Sequence, residues 1–599
     1  MSEPQFEERM MAWIERRWLL ATLVVFVGAC CWFLWDRWGQ IHWLALSDTD
    51  DNLRLAQVKA WLAGQSWFDL RQHRLAPPDG LNIHWSRIVD LPIAGILLIS
   101  RPLVGELAAT RIACAVAPML AMAPALIAIV FAVRRLVHPR AYPIAFAIMM
   151  CAQVTLFMWM PLRIDHHGWQ LAMLALVVAG LADRDGRRGG AVAGGATAVS
   201  FGIGLELIPM MALAGVSIAL RWAFDPDETP RLRAYAVVLG GGCALAFAGF
   251  ASWDNRAMVC DVLSPVYLAT LSLTAALLVG ISFMPAGGRV ARLVLLSVAG
   301  IVIATFFALS FPQCLHRPEA ISPELERLWF VNIREVKPLY TKPWRDALDV
   351  AWLPVVGTVG AWLALWRARG TATAPGWASV ATLALVATLG LFWQSRFGPQ
   401  AQLMGVLGAT ALGWSILPRL LDARSALVRV GGTLIAFLAL SGLLAQFTTL
   451  IPQGGNGQRR SVTQKKATDI SRRCATLPSL RELDRLPAST ILTFVDFGPR
   501  LVAMTRQSAI AGPYHRNGQA ILDVQHSFRA RSSEVAHEVM KRRGATLLLL
   551  CPGMAESTIY AAQAPQGFYQ QLMRGEVPSW LAPVHLPDGS PFRLWRRVG

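Results

Sequence analysis

The sequence predicts a polytopic α-helical membrane protein whose helices are followed by an α/β domain outside the membrane. Of its 599 residues, 54% are hydrophobic and only 16% are charged, whereas soluble globular chains have about 25% charged residues. The excess of hydrophobic residues lies in apolar blocks of about 17–25 residues, the length that crosses a bilayer as a helix. Clusters of arginine recur in alternate loops, which is typical of the cytoplasmic loops of membrane proteins.

The first apolar block runs from Trp18 to Trp35 and lacks a small-residue cleavage site, so we expect a retained helix and not a signal peptide. The segment 91–107 is interrupted by Arg101 and Pro102, and we expect it to be re-entrant or interfacial. The remaining blocks bring the predicted spans to about thirteen; they lie near 109–132, 141–161, 169–182, 189–204, 206–221, 234–252, 264–283, 290–311, 348–366, 376–393, 398–416 and 425–450.

The distribution of arginine fixes the predicted topology. With Arg16 and Arg17 in the cytoplasm, every later cytoplasmic loop carries a basic cluster, whereas counting 91–107 as a full span would place all of those clusters outside. The same arginines contribute to the net charge of +18. Anionic lipid headgroups attract such residues, so the charge does not require another partner. Nucleic acid is not an expected partner, since no basic helix with interleaved aromatic residues occurs.

This topology predicts two domains. We expect the membrane to be a bacterial inner membrane. Residues 1–450 form the predicted transmembrane domain. Residues 451–599 are polar, contain the β-like runs Ile491–Val495 and Ala545–Leu550 and have a normal domain size, so they predict a periplasmic α/β domain. The other predicted outer segments are 36–90, 162–168, 253–263, 312–347 and 394–397.

The first candidate motif follows the first span, where Asp48, Asp50 and Asp51 lie within four residues. Such a cluster is tolerable when a divalent cation or a polar network offsets its charge, and hard cations prefer carboxylate oxygens. The alternative is a helix N-cap, for which Asp is well suited, because the run Leu55–Leu62 that follows has a helical pattern.

The second motif contains Asp165 and His167, two residues apart in a short outer loop. Carboxylate and imidazole groups at this spacing can both face a metal ion, and ionisable groups at a membrane boundary are often functional. The alternative is an interfacial turn without a ligand.

Two further outer loops each contribute one candidate residue. Glu335 lies beside Arg334 and Lys337, which is also typical of a surface ion pair. Arg396 lies between two apolar blocks, where it could extend to lipid headgroups or clamp a phosphate in bidentate geometry. Because all four motifs fall on one side of the membrane, they predict glycosyl transfer from a lipid phosphate: a cation and an arginine neutralise the departing phosphate, and a carboxylate orients or deprotonates the acceptor.

In order and sidedness these motifs resemble the catalytic subunit of oligosaccharyltransferase, a thirteen-span membrane glycosyltransferase with the GT-C fold. The resemblance covers about residues 15–450 and rests on four short matches: Asp48-x-x-x-Asn52-x-Arg54, Asp165-His166-His167, Ile333-Arg334-Glu335 and Arg396. It implies an enzyme with a polyprenyl-(pyro)phosphate-linked sugar donor, in which Asp48, Asp165 and Glu335 are catalytic and Arg396 contacts the donor phosphate. Asp48, Asp165 and His167 are the implied ligands of a divalent metal, Mg²⁺ or Mn²⁺.

The C-terminal domain departs from that family. Family members read the Ser or Thr of a glycosylation sequon with a Trp-Trp-Asp motif, and the nearest match here, Phe494-Val495-Asp496, keeps only the Asp. We therefore expect a glycan or lipid acceptor and not a sequon peptide. The expected acceptor-binding residues lie in Gly- and Pro-punctuated turns; they are Asp496, Tyr514, His515, Arg516 and Asn517. Alternatively, the last four hold the domain against the membrane part.

Two other functions compete with this interpretation. A GT-C transferase of the aminoarabinose or mannosyl type moves a single sugar, and in such an enzyme Asp50 and Asp51 would be the active pair. A flippase for lipid-linked sugars would show inverted repeats and ionisable residues near mid-membrane, whereas the sequence has no evident repeat and its charges lie at span ends.

Four of the nine cysteines lie in polar outer segments, and the other five lie in apolar blocks. An oxidising compartment permits disulfides, so Cys260–Cys314 in neighbouring loops and Cys474–Cys551 in the outer domain are the natural pairs. Four cysteines nevertheless allow three pairings, and four free thiols are the alternative.

Overall fold

The computed structural model describes residues 13, 15–46, 48–285, 287–451 and 455–598, and most of them are helical. Ser47 of the first candidate motif lies outside the described residues. Within the described residues, six helices are long and apolar enough to cross a membrane: Trp18–Asp36, Glu106–Leu136, Pro226–Phe250, Arg289–Ser310, Trp344–Arg367 and Ser395–Leu421. The same part of the chain has five shorter apolar helices: His167–Ala182, Ile208–Phe224, Pro265–Ile281, Ala374–Gly390 and Val428–Ser441.

Each predicted apolar block corresponds to a helix or to a pair of helices, which confirms the polytopic class. The block 141–161 is divided into Tyr142–Met149 and Gln153–Phe157, and the block 189–204 forms the glycine-rich helix Gly186–Ile203. The interrupted segment 91–107 forms the helix Asp90–Val104, which ends at Gly105 with a φ of 78°. Its outward residues include Leu98, Ile99 and Leu103, so this helix presents an apolar surface that suits contact with lipid.

Contacts between loops agree with the predicted sidedness. On the predicted cytoplasmic side, Arg134 donates to the carbonyl of Glu15 and Arg140 forms an ion pair with the Glu15 carboxylate at 3.2 Å. On the opposite side, Arg71 of the first outer loop pairs with Asp254 of the loop 253–263 at 2.8 Å. Two of the predicted outer segments, 36–90 and 253–263, are therefore in direct contact.

The C-terminal region contains a five-stranded sheet in the order β2-β1-β3-β5-β4. The strands are β1 (Thr490–Leu492), β2 (Ser508–Ala509), β3 (Ala545–Leu550), β4 (Leu581–Pro583) and β5 (Arg593–Arg597). Strands β2, β1 and β3 are parallel, and β4 and β5 are antiparallel to their neighbours. The helices of this region are Gly455–Cys474, Leu477–Asp484, Gly498–Met504, Gly518–Arg529, Glu534–Arg542, Ala555–Gln563 and Phe568–Arg574. The second predicted β-run is confirmed, whereas β1 is shorter than its predicted run because Val495–Phe497 turns into a 3₁₀ helix.

The first outer loop packs into the same core as the sheet. Leu75 pairs with Ala509 in a parallel β-bridge, and Trp85 joins the buried cluster of Phe494 and Phe528. The carboxyl ends of parallel strands carry the loops that meet ligands in open α/β sheets. Here the loops after β1 and β2 face the outer loops of the transmembrane part. The division of the chain at residue 450 stays a prediction.

Both predicted disulfides are formed. Cys260–Cys314 joins two outer loops across a Cα–Cα distance of 5.4 Å. Cys474–Cys551 joins the end of the helix Gly455–Cys474 to the end of β3 across 6.3 Å. The five remaining cysteines are free: Cys30, Cys31, Cys114, Cys151 and Cys243.

Candidate active site

The first motif begins the helix Thr49–Leu62, and Asp48 is its N-cap. The Asp48 side chain accepts a hydrogen bond from the Thr49 amide at 2.6 Å, and the Asn52 side chain donates to the Asp48 carbonyl at 2.6 Å. This cap places Asp50 and Asp51 in the first turn, where the positive end of the helix dipole favours carboxylates. Asp48 is therefore a cap as well as a candidate ligand, and the two interpretations of the motif are compatible.

Arg163 joins the first motif to the second. Its Nη1 lies 2.9 Å from Asp48 Oδ2 and 3.2 Å from Asp51 Oδ2, and its Nη2 lies 2.7 Å from Asp165 Oδ2. The Asp165 amide also donates to Asp51 Oδ1 at 3.0 Å. One buried guanidinium thus holds three carboxylates from two loops that are more than a hundred residues apart in the chain.

Burial and crowding disturb the protonation of these carboxyl groups. Burial, followed by the neighbouring Asp48 and Asp165, raises the pKa of Asp50 well above its ordinary value. Burial also raises the pKa of Asp51 to about 8, although Arg163 opposes this shift. Burial acts to raise the pKa of Asp165 as well, but Arg163 and the adjacent histidines outweigh it, so the Asp165 pKa falls below its usual range. The cluster holds more negative charge than Arg163 alone neutralises.

His167 begins the helix His167–Ala182, and its amide donates to Asp165 Oδ1 at 3.0 Å. Burial lowers the pKa of His167, which keeps the imidazole neutral, the form that binds metals. Asp165 Oδ2 is buried and pairs with Arg163 Nη2 at 2.7 Å. An excess of carboxylate over this single arginine, together with a neutral imidazole, fits a divalent cation such as Mg²⁺ or Mn²⁺.

The third and fourth motifs lie side by side. The Arg396 amide donates to the Glu335 carbonyl at 3.0 Å, and the Ser395 amide donates to the Lys337 carbonyl at 2.8 Å. Glu335 is exposed, and its charge is one of the influences that raise the pKa of Asp50. The loop 312–347 therefore brings Glu335 within electrostatic reach of the first motif, with Arg396 beside it.

Two of the predicted acceptor-binding residues reach the same region. Asp496 follows β1, and burial together with the charge of Asp48 raises its pKa to about 6; its side chain remains open to solvent, as in a recessed cleft. Tyr514 follows β2 and donates from its hydroxyl to the Thr49 carbonyl at 3.1 Å. Both side chains are therefore close to the Asp48 cap.

His515 and Arg516 instead form contacts between domains. His515 Nε2 lies 2.6 Å from Asp261 Oδ2, and Arg516 binds both oxygens of Asp261 at 2.7 and 2.6 Å. Asn517 is buried. These contacts favour the alternative that this segment holds the domain against the membrane part, and acceptor binding by these three residues stays a prediction.

Sequence reasoning missed three supporting residues. Glu556 accepts hydrogen bonds from the amides of Val495 at 3.1 Å and Asp496 at 2.8 Å, so it fixes the loop after β1. Arg500 donates to the Asn52 side chain at 3.1 Å and thereby ties the C-terminal domain to the Asp48 helix. The central role of Arg163 was signalled by its place in the second motif, whereas the sequence around Glu556 and Arg500 carries no such signal.

Similarity to known proteins is visible at the level of structure. No known protein family and no curated protein matches the sequence significantly. The archaeal oligosaccharyltransferase AglB from Archaeoglobus fulgidus, solved with an inhibitory peptide and a dolichol-phosphate, aligns with a TM-score of 0.65 at 16% identity, covering 95% of this chain and 73% of that chain.

Two more structures of that enzyme are also similar. One is tethered to an acceptor peptide containing the NVT sequon, with a TM-score of 0.62, 15% identity and coverage of 98% and 75%. The other is a complex with Zn and sulfate, with a TM-score of 0.56, 17% identity and coverage of 88% and 67%. The chain therefore has the GT-C fold of the archaeal oligosaccharyltransferase.

Proposed function

We propose that this protein is a glycosyltransferase that moves a sugar or an oligosaccharide from a polyprenyl-(pyro)phosphate donor to an acceptor at the outer face of the membrane. The observation that carries the proposal is the convergence of Asp48, Asp51 and Asp165 on Arg163, with Glu335 and Arg396 on the adjoining loops. The GT-C fold supports it, because the similar archaeal structures are oligosaccharyltransferases, one of them bound to a dolichol-phosphate.

The reaction follows from these positions. The acceptor forms a bond to the anomeric carbon while the bond from that carbon to the phosphate oxygen breaks, and the electron pair leaves on the phosphate. A divalent cation held by Asp48, Asp165 and His167 would supply Lewis-acid neutralisation of that charge. Arg396 binds the donor phosphate, for which a guanidinium has suitable geometry. Glu335 orients the acceptor group and takes its proton.

The location proposed is a bacterial inner membrane with the C-terminal domain in the periplasm. Under the positive-inside rule the loops with arginine clusters are cytoplasmic, and two of these predicted cytoplasmic segments are in contact, because Glu15 binds Arg134 and Arg140. The two disulfides join cysteines of the predicted outer segments, and stable disulfides belong to oxidising compartments such as the periplasm.

The acceptor proposed is a glycan or a lipid. Asp496 lies near the Asp48 cap, and the residues before it are Phe494 and Val495, both of them buried. The loop therefore offers no exposed aromatic surface for reading a peptide side chain. An acceptor with hydroxyl groups suits the carboxylates that do face the cleft, because they accept hydrogen bonds.

A transfer assay tests the proposal. Purified protein is incubated with a radiolabelled polyprenyl-pyrophosphate glycan and either outer-membrane lipid extract or an Asn-x-Thr peptide. We expect a labelled lipid or glycan product that is lost in Asp48→Asn and Asp165→Asn and retained in the surface control Asp79→Asn. Translocation without covalent product would indicate a flippase, and efficient labelling of the peptide Asn would restore a sequon acceptor.

The donor class distinguishes the remaining alternative. A single-sugar transferase would depend on the pair Asp50 and Asp51, of which Asp50 is half-buried in the first turn and interacts with Tyr514. Offering monosaccharide-phosphate and oligosaccharide-pyrophosphate donors in parallel separates the two, since a single-sugar enzyme would use only the former and lose activity in Asp50→Asn.

A further inference from the structure

Three side chains with metal-ligating groups meet at the junction of the C-terminal domain and the membrane part, and none of them belongs to the proposed Asp48, Asp165 and His167 ligand set. His84 comes from the first outer loop, Asp261 from the loop before the helix Pro265–Ile281, and His515 from the turn after β2. One ligand atom from each lies within 4.8 Å of the other two. The His515 Nε2 to Asp261 Oδ2 distance is 2.6 Å, and the two imidazole ring centres are 4.9 Å apart.

His84 is the least satisfied member of this group. Its Nδ1 is buried and has no hydrogen-bond partner among the described residues, which is unusual for a buried polar atom. A neutral imidazole keeps one nitrogen lone pair that can bind a metal. An orphaned imidazole beside a histidine–aspartate pair is the pattern expected of a ligand set.

Arg516 determines which metals this group favours. It binds Asp261 through Nε and Nη2 and also donates to Asn82 and Asn255 at 2.9 and 2.6 Å. Such a network orients a ligating carboxylate as an outer-shell partner does. Its positive charge disfavours cations held by charge alone, whereas two imidazoles favour Zn²⁺ and related transition metals.

We infer that His84, Asp261 and His515 form a transition-metal site for an ion of the Zn²⁺ class, which fastens the C-terminal domain to two outer loops. The site shares no ligand with the Asp48, Asp165 and His167 group and has a different ligand preference. It also bears on the active site, because the adjacent Tyr514 donates to the Thr49 carbonyl in the catalytic helix. The role inferred for it is structural, which is to hold the domain over the cleft.

Metal binding by the full chain tests this inference. Detergent-purified protein is stripped with chelator, dialysed and titrated with Co²⁺ and Zn²⁺, with optical absorption and X-ray absorption as readouts. We expect one tight site with nitrogen and oxygen ligands, and a loss of affinity of at least about 10-fold in His84→Ala. The matched control is His526→Ala, because His526 also pairs with a carboxylate, that of Glu324 at 2.8 Å, on the exposed surface.

Further variants keep the result interpretable. His84→Gln replaces His84→Ala if the alanine variant fails to fold, as judged by its melting curve and intact disulfides. The double variant Asp48→Asn, Asp165→Asn should retain the Zn²⁺ site, which separates this inference from the proposed function. Three results would each overturn the site: unchanged metal affinity in both His84 variants, sulfur ligands from the free cysteines, or no bound transition metal. His515, Asp261 and Arg516 would then form an ion-pair contact only.

Discussion

Arg163 is the residue that connects the two acidic motifs, and its geometry explains why they meet. Its two terminal nitrogens contact Asp48, Asp51 and Asp165 from a nearly inaccessible position. A planar guanidinium can serve three carboxylates in this way, whereas the single ammonium of lysine cannot. The protein thus retains one fixed positive charge in the cleft even when a divalent cation is absent.

Substitution of Arg163 should therefore affect both stability and activity. We expect Arg163→Ala to lower the free energy of unfolding by about 3 kcal/mol, because it leaves buried carboxylates unpaired, and Arg163→Lys to lower transfer activity while folding normally. Thermal melting and the transfer assay measure the two effects. Arg188→Lys is the matched control, since Arg188 is an exposed partner of Asp183 on the opposite side; equal losses in the two lysine variants would contradict the central role of Arg163.

Arg396 has a separate prediction that concerns donor binding. If it clamps a phosphate, both Arg396→Ala and Arg396→Lys should weaken donor affinity, because lysine lacks the bidentate geometry. Equilibrium binding of a fluorescent polyprenyl phosphate measures this affinity. Arg367→Ala serves as the control, since Arg367 bonds to Ser415 at the other end of the membrane helices. Unchanged donor affinity in the Arg396 variants would make it a headgroup contact.

At the scale of elements, two covalent links hold the outer layer together. Cys474–Cys551 joins the helix that leads into the C-terminal domain to the end of β3, across 77 residues of sequence. Cys260–Cys314 joins the loop that holds Asp261 to the start of the loop that contains Glu335. Both links lie beside loops that carry candidate functional residues, so they limit the motion of those loops.

Removal of the Cys474–Cys551 link should destabilise the C-terminal domain. For a closed loop of this length, the chain-entropy model gives a loss of about 4 kcal/mol, and we expect the melting temperature of Cys474→Ser, Cys551→Ser to fall accordingly. Cys31→Ser, at an exposed free thiol, is the control. A melting temperature equal to that of the control would show that packing of the sheet alone holds the domain.

The same elements show where sequence reasoning succeeded. The membrane helices and the β-run Ala545–Leu550 were predictable, because the length and pattern of an apolar run determine them locally. The disulfide pairs were predictable because their cysteines lie in the polar outer segments. The loop of Asp496 was not, because its 3₁₀ turn depends on Glu556, which is 60 residues away in the chain. The anchoring role of His515 was predicted only as an alternative, and its partner Asp261 could not be named, because it lies 254 residues away and only tertiary packing brings the two together.

At the scale of the whole molecule, like charges meet at the contact between the outer loops and the C-terminal domain. Asp48, Asp51 and Asp165 share Arg163, and the charge of Asp48 reaches Asp496 of the C-terminal domain. Folding therefore assembles like charges from distant parts of the chain. The free energy of that assembly depends on pH and on any cation that the cleft binds.

The sign of this pH dependence follows from the shifted pKa values. Because the pKa of Asp51 is raised to about 8, the folded protein binds more protons than the unfolded chain between about pH 4 and pH 8, and stability falls as pH rises through that range. Metal-free protein should thus melt at a lower temperature at pH 8 than at pH 5. Mn²⁺ or Mg²⁺ should narrow that difference, because a bound cation offsets the ionised carboxylates.

Melting curves at pH 5 and pH 8, with chelator or with added cation, measure both effects. Burial and the charge of Asp496 also raise the pKa of Glu556 to about 8, so Glu556 contributes a slope of the same sign. Unlike Asp51, Glu556 does not share Arg163 with the proposed ligands Asp48 and Asp165. We therefore expect Glu556→Gln to reduce the pH dependence of the melting temperature while added cation still narrows the remaining difference. We expect Asp51→Asn to reduce the pH dependence as well, but at the site where the cation acts. A melting temperature that rises with pH in the presence of chelator would contradict the crowded-carboxylate interpretation, because ionisation would then stabilise the fold.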